Sequence, residues 1–345
     1  MGAQSPASVH GDSGQSKSHP IWSADNNHSI RQHTVHMPWT SHDMPLLAGR
    51  TAVVTGANSG IGFATACALA THGADVTLAV RDLAKGEAAA TRMRDQGASA
   101  VLVRRLDLAD LACVHEFAEQ WGNEHPDGLD LLVNNAGVMA IPRELTVDGF
   151  ERQLATNYLG HYALTGLLLP ALLAQPQSRI VCLSSNAHRS AKRINFDDLM
   201  GARRYSAWGA YAQSKLALLL FTSELQHRLH RIGSSTKAMA AHPGLSASNL
   251  FSGILNVGKV PVLGTGVGLL SAAVGQSASM GALPVLFAAT APDVAGDSYI
   301  GPDGPGQLRG YPQLVDRSAA AMNIEAAQRL WLVSQELTHV TIPVD

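Results

Sequence analysis

In the stretch YAQSK, Tyr211 stands four residues before Lys215. On a helix those positions share a face. Such a pair is either an ordinary surface contact or a proton-transfer device, and the spacing alone does not choose between them. The device has a physical basis. A free phenol has a pKa of about 10, and lowering it by about three units requires roughly 4 kcal/mol. A lysine cation about 4 Å away supplies an energy of that order at an effective dielectric near 20.

A second stretch, TGANSGIG at 55–62, sets Gly56, Gly60 and Gly62 in G-x-x-x-G-x-G spacing. This is not the G-x-G-x-x-G of the usual dinucleotide fingerprint. Its context matters more than its spacing. The β-branched run RTAVVTG precedes it and the helix-like GFATACALATHG follows. Without side chains at such a turn, a phosphate can approach backbone N–H groups and the positive end of the next helix. The competing reading is a tight turn with no ligand. Further on, LAVRD ends a strand-like run on Val80 and Arg81. Apolar Val80 cannot bind a ribose hydroxyl, whereas Arg81 can form paired hydrogen bonds to a 2′-phosphate. That favours NADP(H) over NAD(H). Asp82 competes, since an acid there can neutralise Arg81 or bind the ribose itself.

These residues need a scaffold, and the surrounding sequence supplies a rhythm. Strand-like runs are RTAVVTG, ADVTLAV, AVLVRRLDL, LDLLVNNAG, SRIVCLSS, TKAMAAHPG and a short one near SYIG. Helical patterns lie between them: GFATACALATHG, LAKGEAAATRMRDQG, and segments near 109–124, 147–174, 206–230 and 278–290. NIEAAQRLWLVSQEL closes the chain. Strands alternating with helices predict a parallel sheet covered on both faces. No repeat and no linker divides this core.

Bulk properties narrow the function. The chain has 345 residues, 46% hydrophobic and 15% charged, with a formal charge of -2. It is apolar enough for a large core and has no field for nucleic acid or an anionic membrane. Cys67, Cys113 and Cys182 are few and far apart, which predicts buried, reduced thiols in a cytoplasmic protein and no metal site. Residues 1–36 are rich in Ser, His, Gly and Asn and read as a disordered tail, with Met37 a candidate start of the native chain. The globular domain is expected over 45–340.

Taken together, the motifs resemble the short-chain dehydrogenase/reductase family over roughly residues 48–315. They come in that family's order: TGANSGIG, Asp107, NNAG at 134–137, Asn157, the serines at 184–185, YAQSK and HPG at 242–244. NYLGHYALT, SSNAH and GPDGPGQLRGYP are most similar to its retinol dehydrogenase-like branch, which also resembles the protochlorophyllide reductases. The resemblance implies a single-domain α/β, Rossmann-type doubly wound parallel sheet of about seven strands, flanked by helices.

It also implies roles. Gly56, Asn58, Ser59, Gly60, Ile61 and Gly62 would hold the pyrophosphate and nearby ribose. Asp107 and Leu108 would contact adenine, and Asn135, Ala136 and Gly137 would line the cofactor. Pro243 and Gly244 would pass the nicotinamide, where Ser246 or Ser248 replaces the family's frequent threonine. Asn157, Ser185, Tyr211 and Lys215 match the family's catalytic tetrad. In it Tyr211 is the general acid/base and Ser185 steadies the substrate oxygen. Tyr211 and Lys215 would also contact the cofactor, Lys215 at its ribose, and Asn157 holds a water on the proton path. Twenty-six positions separate Ser185 from Tyr211, more than in many members, and the intervening insertion reads as a substrate-side loop or a structural excursion.

Between Lys237 and Asp293 the one charged residue is Lys259. This stretch corresponds to the family's mobile substrate lid, placed here at about 246–280. Its apolar character predicts a lipophilic alcohol or carbonyl as substrate. Ordinary core or an oligomer contact would produce the same composition. No run approaches about 20 uninterrupted apolar residues, so no transmembrane helix is expected; weak contact with a membrane surface stays open. Two other functions remain: a non-catalytic NADP(H)-binding sensor or scaffold, and reduction of a C=C bond. Family members are commonly homodimers or homotetramers.

Overall fold

Apolar β-branched runs become strands where they can be buried on both faces, and this chain provides seven such runs in parallel. A computed structural model describes Gly2 and residues 38–245 and 276–344. Nearly all of the expected tail, Ser246, Ser248 and most of the expected lid lie outside the described residues. The strands are β1 (Thr51–Thr55), β2 (Asp75–Val80), β3 (Val101–Arg105), β4 (Leu131–Asn134), β5 (Arg179–Leu183), β6 (Lys237–Ala241), β7 (Tyr299–Pro302) and β8 (Pro312–Leu314). They form one sheet in the order β3-β2-β1-β4-β5-β6-β7-β8.

Every described pairing is parallel except β7 with β8. Among the described residues the sheet thus has eight strands, where about seven were expected. The extra one has three residues and opens on Pro312, which an edge strand tolerates because its missing N–H faces no partner. It shows no alternating pattern by which a sequence reading finds strands.

Alternation assigns the two faces. Val53, Leu132, Ile180 and Cys182 pack toward the helices Leu111–Glu124, Gly160–Ala174, Ala207–Arg231 and Ile324–Thr338. Ala52, Val54, Leu131, Val133 and Val181 pack toward Gly60–Thr71, Leu83–Arg94 and Ala278–Thr290. Period-two alternation therefore feeds two separate cores from the same strands. Cys67, Cys113 and Cys182 are buried free thiols.

The segment expected as one helix over 147–174 is interrupted. Gly149 adopts φ 80° and closes a turn in which Leu145 bridges Glu151. Helical backbone starts at Arg152, passes through a π-helical turn at Ala155–Leu159 and continues as Gly160–Ala174. That π turn carries Asn157. No helix among the described residues is long and apolar enough to cross a membrane.

β1 and β4 are neighbours, with Val54 opposite Val133. The chain leaves β1 for β2 on one side, while β4 leads to β5 on the other. Such a reversal opens a crevice beyond the carboxyl ends of the two strands, where doubly wound sheets bind ligands.

Candidate active site

The glycine turn sits at that crevice, and its geometry explains its composition. Gly56 and Gly60 take φ 65° and 57°, left-handed values that L side chains resist. A Cβ on Gly62 would lie 2.4 Å from Asn135 Nδ2 and 2.5 Å from the Gly56 carbonyl oxygen. Asn135 Nδ2 donates to the Thr55 carbonyl at 2.7 Å and so ties the end of β4 to the turn. Ser59, the N-cap of Gly60–Thr71, makes no side-chain capping bond. By contrast Asp82, Asp110 and Ser206 cap their helices. The first N–H groups of Gly60–Thr71 are thus left for another acceptor. A backbone cradle with no room for a Cβ at Gly62 suits a pyrophosphate.

The cleft of about 370 Å³ beside this turn is lined by Gly56, Asn58, Ser59, Gly60, Ile61 and Gly62. Arg81, Asp107, Leu108, Asn135, Ala136 and Gly137, also expected at the cofactor, line its walls as well. Val138, Met139, Ile141 and Thr156 also line it and were not anticipated. Arg81 is exposed at one end of this cleft. Asp82 is engaged elsewhere: it accepts from the Lys85 N–H at 3.1 Å and pairs with Lys85 Nζ at 3.2 Å. These contacts hold the Asp82 carboxyl below its usual range. Asp82 thus caps its own helix, while Arg81 stands on the cleft wall.

A second cavity of about 420 Å³ brings together Ser185, Tyr211, Lys215, Pro243 and Gly244. Ile61, Asn135, Gly137, Met139 and Leu183 line both cavities, so the two adjoin. Ser185 lies two residues beyond the end of β5, and its Oγ accepts from the Ala187 N–H at 3.2 Å. Tyr211 and Lys215 lie on the helix Ala207–Arg231, which Ser206 caps. Both are nearly buried. Trp208, one turn earlier, is 48% exposed and stands 5.7 Å from the Tyr211 ring. No sequence motif marks it; an aromatic three residues before the tyrosine was the available sign.

One expectation about this cavity needs correction. The Tyr211 phenol is not lowered by Lys215. Burial raises it, and the hydrogen bond with Ser185 offsets this in part. Lys215 Nζ lies 5.9 Å from the tyrosine ring centroid and donates to the Leu183 carbonyl at 2.7 Å. Burial lowers the Lys215 ammonium to about 8. Both groups have lost solvent, which disfavours both of their charged forms.

Asn157 lines neither cavity and is fully buried. Its Oδ1 accepts from the Val138 N–H at 2.8 Å. Its Nδ2 donates to the Val138 carbonyl at 3.0 Å and to Ser214 Oγ at 2.9 Å. Ser214 donates in turn to the Tyr211 carbonyl at 2.8 Å. These bonds commit the Asn157 side chain to the protein, bracing the wall behind Tyr211 and Lys215.

The state of Lys215 makes a stability prediction. Its folded pKa of about 8 lies below the ordinary 10.5, so the unfolded chain binds the proton more tightly. Stability should therefore rise as pH climbs from about 8 to 10.5. Lys215→Met should be more stable than wild type at pH 7, by up to about 3 kcal/mol, and should lack that rise. Thermal denaturation without added cofactor at pH 7, 8, 9 and 10 checks this. Parallel pH curves for the two proteins would refute it.

The short chain dehydrogenase family model matches residues 50–255. Retinol dehydrogenase 13 of Homo sapiens is 41% identical over 301 residues, covering 86% of this chain and 87% of the relative. Retinol dehydrogenase 14 of Mus musculus is 36% identical over 310 residues, covering 86% and 88%. Among solved structures, an uncharacterised protein from Mycobacterium paratuberculosis has 47% identity and a TM-score of 0.73 over 89% of this chain and 100% of that one. The RhlG/NADP active-site complex of Pseudomonas aeruginosa has 28% identity and a TM-score of 0.59 over 76% and 98%.

Proposed function

Because this chain belongs to the short-chain dehydrogenase family, we propose that it is an NADP(H)-preferring oxidoreductase acting on a lipophilic alcohol or carbonyl. Tyr211 is its general acid/base. The observation that carries this reading is the meeting of Ser185, Tyr211 and Lys215 in one largely apolar cavity that adjoins the glycine cradle. The cradle, Asp107, Leu108 and Arg81 would hold the cofactor, with Pro243 and Gly244 beside its nicotinamide. That cofactor supplies or takes the hydride.

The residues of the chain handle the proton. Ser185 positions the substrate oxygen within reach of the Tyr211 hydroxyl. Tyr211 in its protonated form donates to that oxygen during reduction, and as the phenolate it accepts the alcohol proton during oxidation. Lys215 orients the cofactor ribose, and Asn157 braces the wall that carries Val138 and Ser214. Met139, Leu183, Ala187, Trp208 and Leu308 make the cavity apolar, which supports a lipophilic substrate. Two relatives are named as retinol dehydrogenases, and a long apolar alcohol of that kind agrees with such walls.

The cofactor preference rests on Arg81. Wild-type protein should bind NADPH more tightly than NADH. Arg81→Ala should weaken NADPH about 10- to 100-fold, the worth of one or two charge-assisted hydrogen bonds, and leave NADH unchanged. Fluorescence titration with both cofactors measures this. Equal weakening of both would remove Arg81 from the 2′-phosphate site. Turnover is then screened with apolar aldehydes and ketones against conjugated alkenes, and reduction of alkenes alone would replace the carbonyl reading with the C=C one.

A further inference from the structure

His161 is fully buried between the end of β1 and the π turn, and it touches neither cavity. Its Nδ1 lies 3.0 Å from the Asn157 carbonyl oxygen. Its Nε2 lies 2.9 Å from Thr55 Oγ1. A carbonyl only accepts, so Nδ1 carries the hydrogen and Nε2 is the acceptor. Thr55 fits this assignment. Its hydroxyl has two lone pairs, which receive the N–H groups of Asn135 and Ala136, each at 2.9 Å. Its one hydrogen then goes to His161, since the Val133 carbonyl is more distant at 3.4 Å. The opposite tautomer would leave Nδ1 and the Asn157 carbonyl facing each other without a hydrogen. Burial lowers the ring to about 3, so it stays neutral at working pH.

The ring therefore joins two assemblies. On one side are Thr55, Asn135 and Ala136, which shape the glycine cradle. On the other are Asn157, Ser214 and the Tyr211 backbone. We propose that His161 is a positioning residue that holds the cofactor cradle and the Tyr211 arm in register through its bonds to Thr55 and to the Asn157 carbonyl. The proposal rests on the oxidoreductase reading for its catalytic consequence. Hydride transfer needs the nicotinamide and the proton donor held within a fraction of an ångström, and a misplacement of about 1 Å costs on the order of 100-fold in rate.

Each half of the ring can be kept separately. Asparagine places an N–H donor where Nδ1 stood, so His161→Asn keeps the bond to Asn157 and loses Thr55. Glutamine places an oxygen where Nε2 stood, so His161→Gln keeps Thr55 and loses Asn157. Amide hydrogen exchange without cofactor is the first readout. The Asn135 and Ala136 amides should exchange about tenfold faster in His161→Asn, and the Val138 amide about tenfold faster in His161→Gln. In steady-state assays His161→Asn should raise the NADPH Kd about tenfold and lower kcat less. His161→Gln should lower kcat about tenfold and raise Kd less, each effect being the loss of one buried hydrogen bond.

Thr55→Val should repeat the His161→Asn pattern, and it serves if the histidine variants fail to fold. Identical exchange in both histidine variants, with Kd and kcat moving together, would reduce His161 to core packing and overturn the proposal. The exchange readout decides it even if wild-type protein binds no NADPH, a result that would sink the oxidoreductase reading alone.

Discussion

Tyr211→Phe should lower kcat about 10³-fold while leaving NADPH affinity within about twofold of wild type. The magnitude is that of one positioned general acid/base, typically 10²- to 10⁴-fold. The substitution removes only the hydroxyl. The ring keeps its packing against Met139 and Ala187 and its contact with Trp208, so the helix Ala207–Arg231 should keep its place. What disappears is the group that Ser185 meets. The pH profile has a definite sign. Burial raises the phenol, so carbonyl reduction, which needs the protonated form, should persist to higher pH than an exposed tyrosine would allow. Alcohol oxidation, which needs the phenolate, should rise with pH over that range. Single-turnover rates with NADPH and an apolar aldehyde, paired with fluorescence titration, measure both quantities. A variant with unchanged turnover would show that another group delivers the proton. A variant that loses NADPH would show instead that the phenol is a cofactor contact.

Gly62→Ala should weaken NADPH binding more than 100-fold and destabilise the protein by about 2–3 kcal/mol, the usual range for overpacking a tight site. The added methyl would sit 2.4 Å from Asn135 Nδ2 and 2.5 Å from the Gly56 carbonyl oxygen. Backbone on one side cannot yield cheaply, so the Asn135 amide must leave its bond to Thr55. That movement opens the cradle and pulls on the end of β4 at once. Gly122→Ala is the control. It lies in the helix Leu111–Glu124, its new Cβ would meet nothing within 4 Å, and it should add up to about 1 kcal/mol of stability with no change in NADPH binding. Calorimetry and cofactor titration on the two variants decide the matter. Wild-type binding in Gly62→Ala would mean that no phosphate uses this turn.

Much of the scaffold and the outline of the site were legible without coordinates. Hydrophobic period marks strands and helices because each face of an element must find its own core. A glycine-rich turn between a strand and a helix is a local backbone requirement, and Tyr211 and Lys215 share a face because a helix repeats every 3.6 residues. Such signals need only neighbours in the chain. Whatever depended on distant neighbours stayed hidden. The edge strand Pro312–Leu314 exists because β7 offers it a ladder. The break at Gly149 follows from a turn that Leu145 and Glu151 close.

Electrostatics belonged to the folded state as well. Spacing suggested a lysine that lowers a tyrosine, but burial raises one and lowers the other, and burial is a property of the whole packing. Asp82, a rival to Arg81 in the sequence, also caps its own helix in the fold. His161 could be seen four residues after Asn157, yet nothing local tied it to Thr55, 106 residues earlier. Sequence determined which chemical groups this protein carries and which short elements present them. Tertiary structure decided which of those groups meet and which lose water, because hydrogen bonds and desolvation depend on proximity in space and not along the chain.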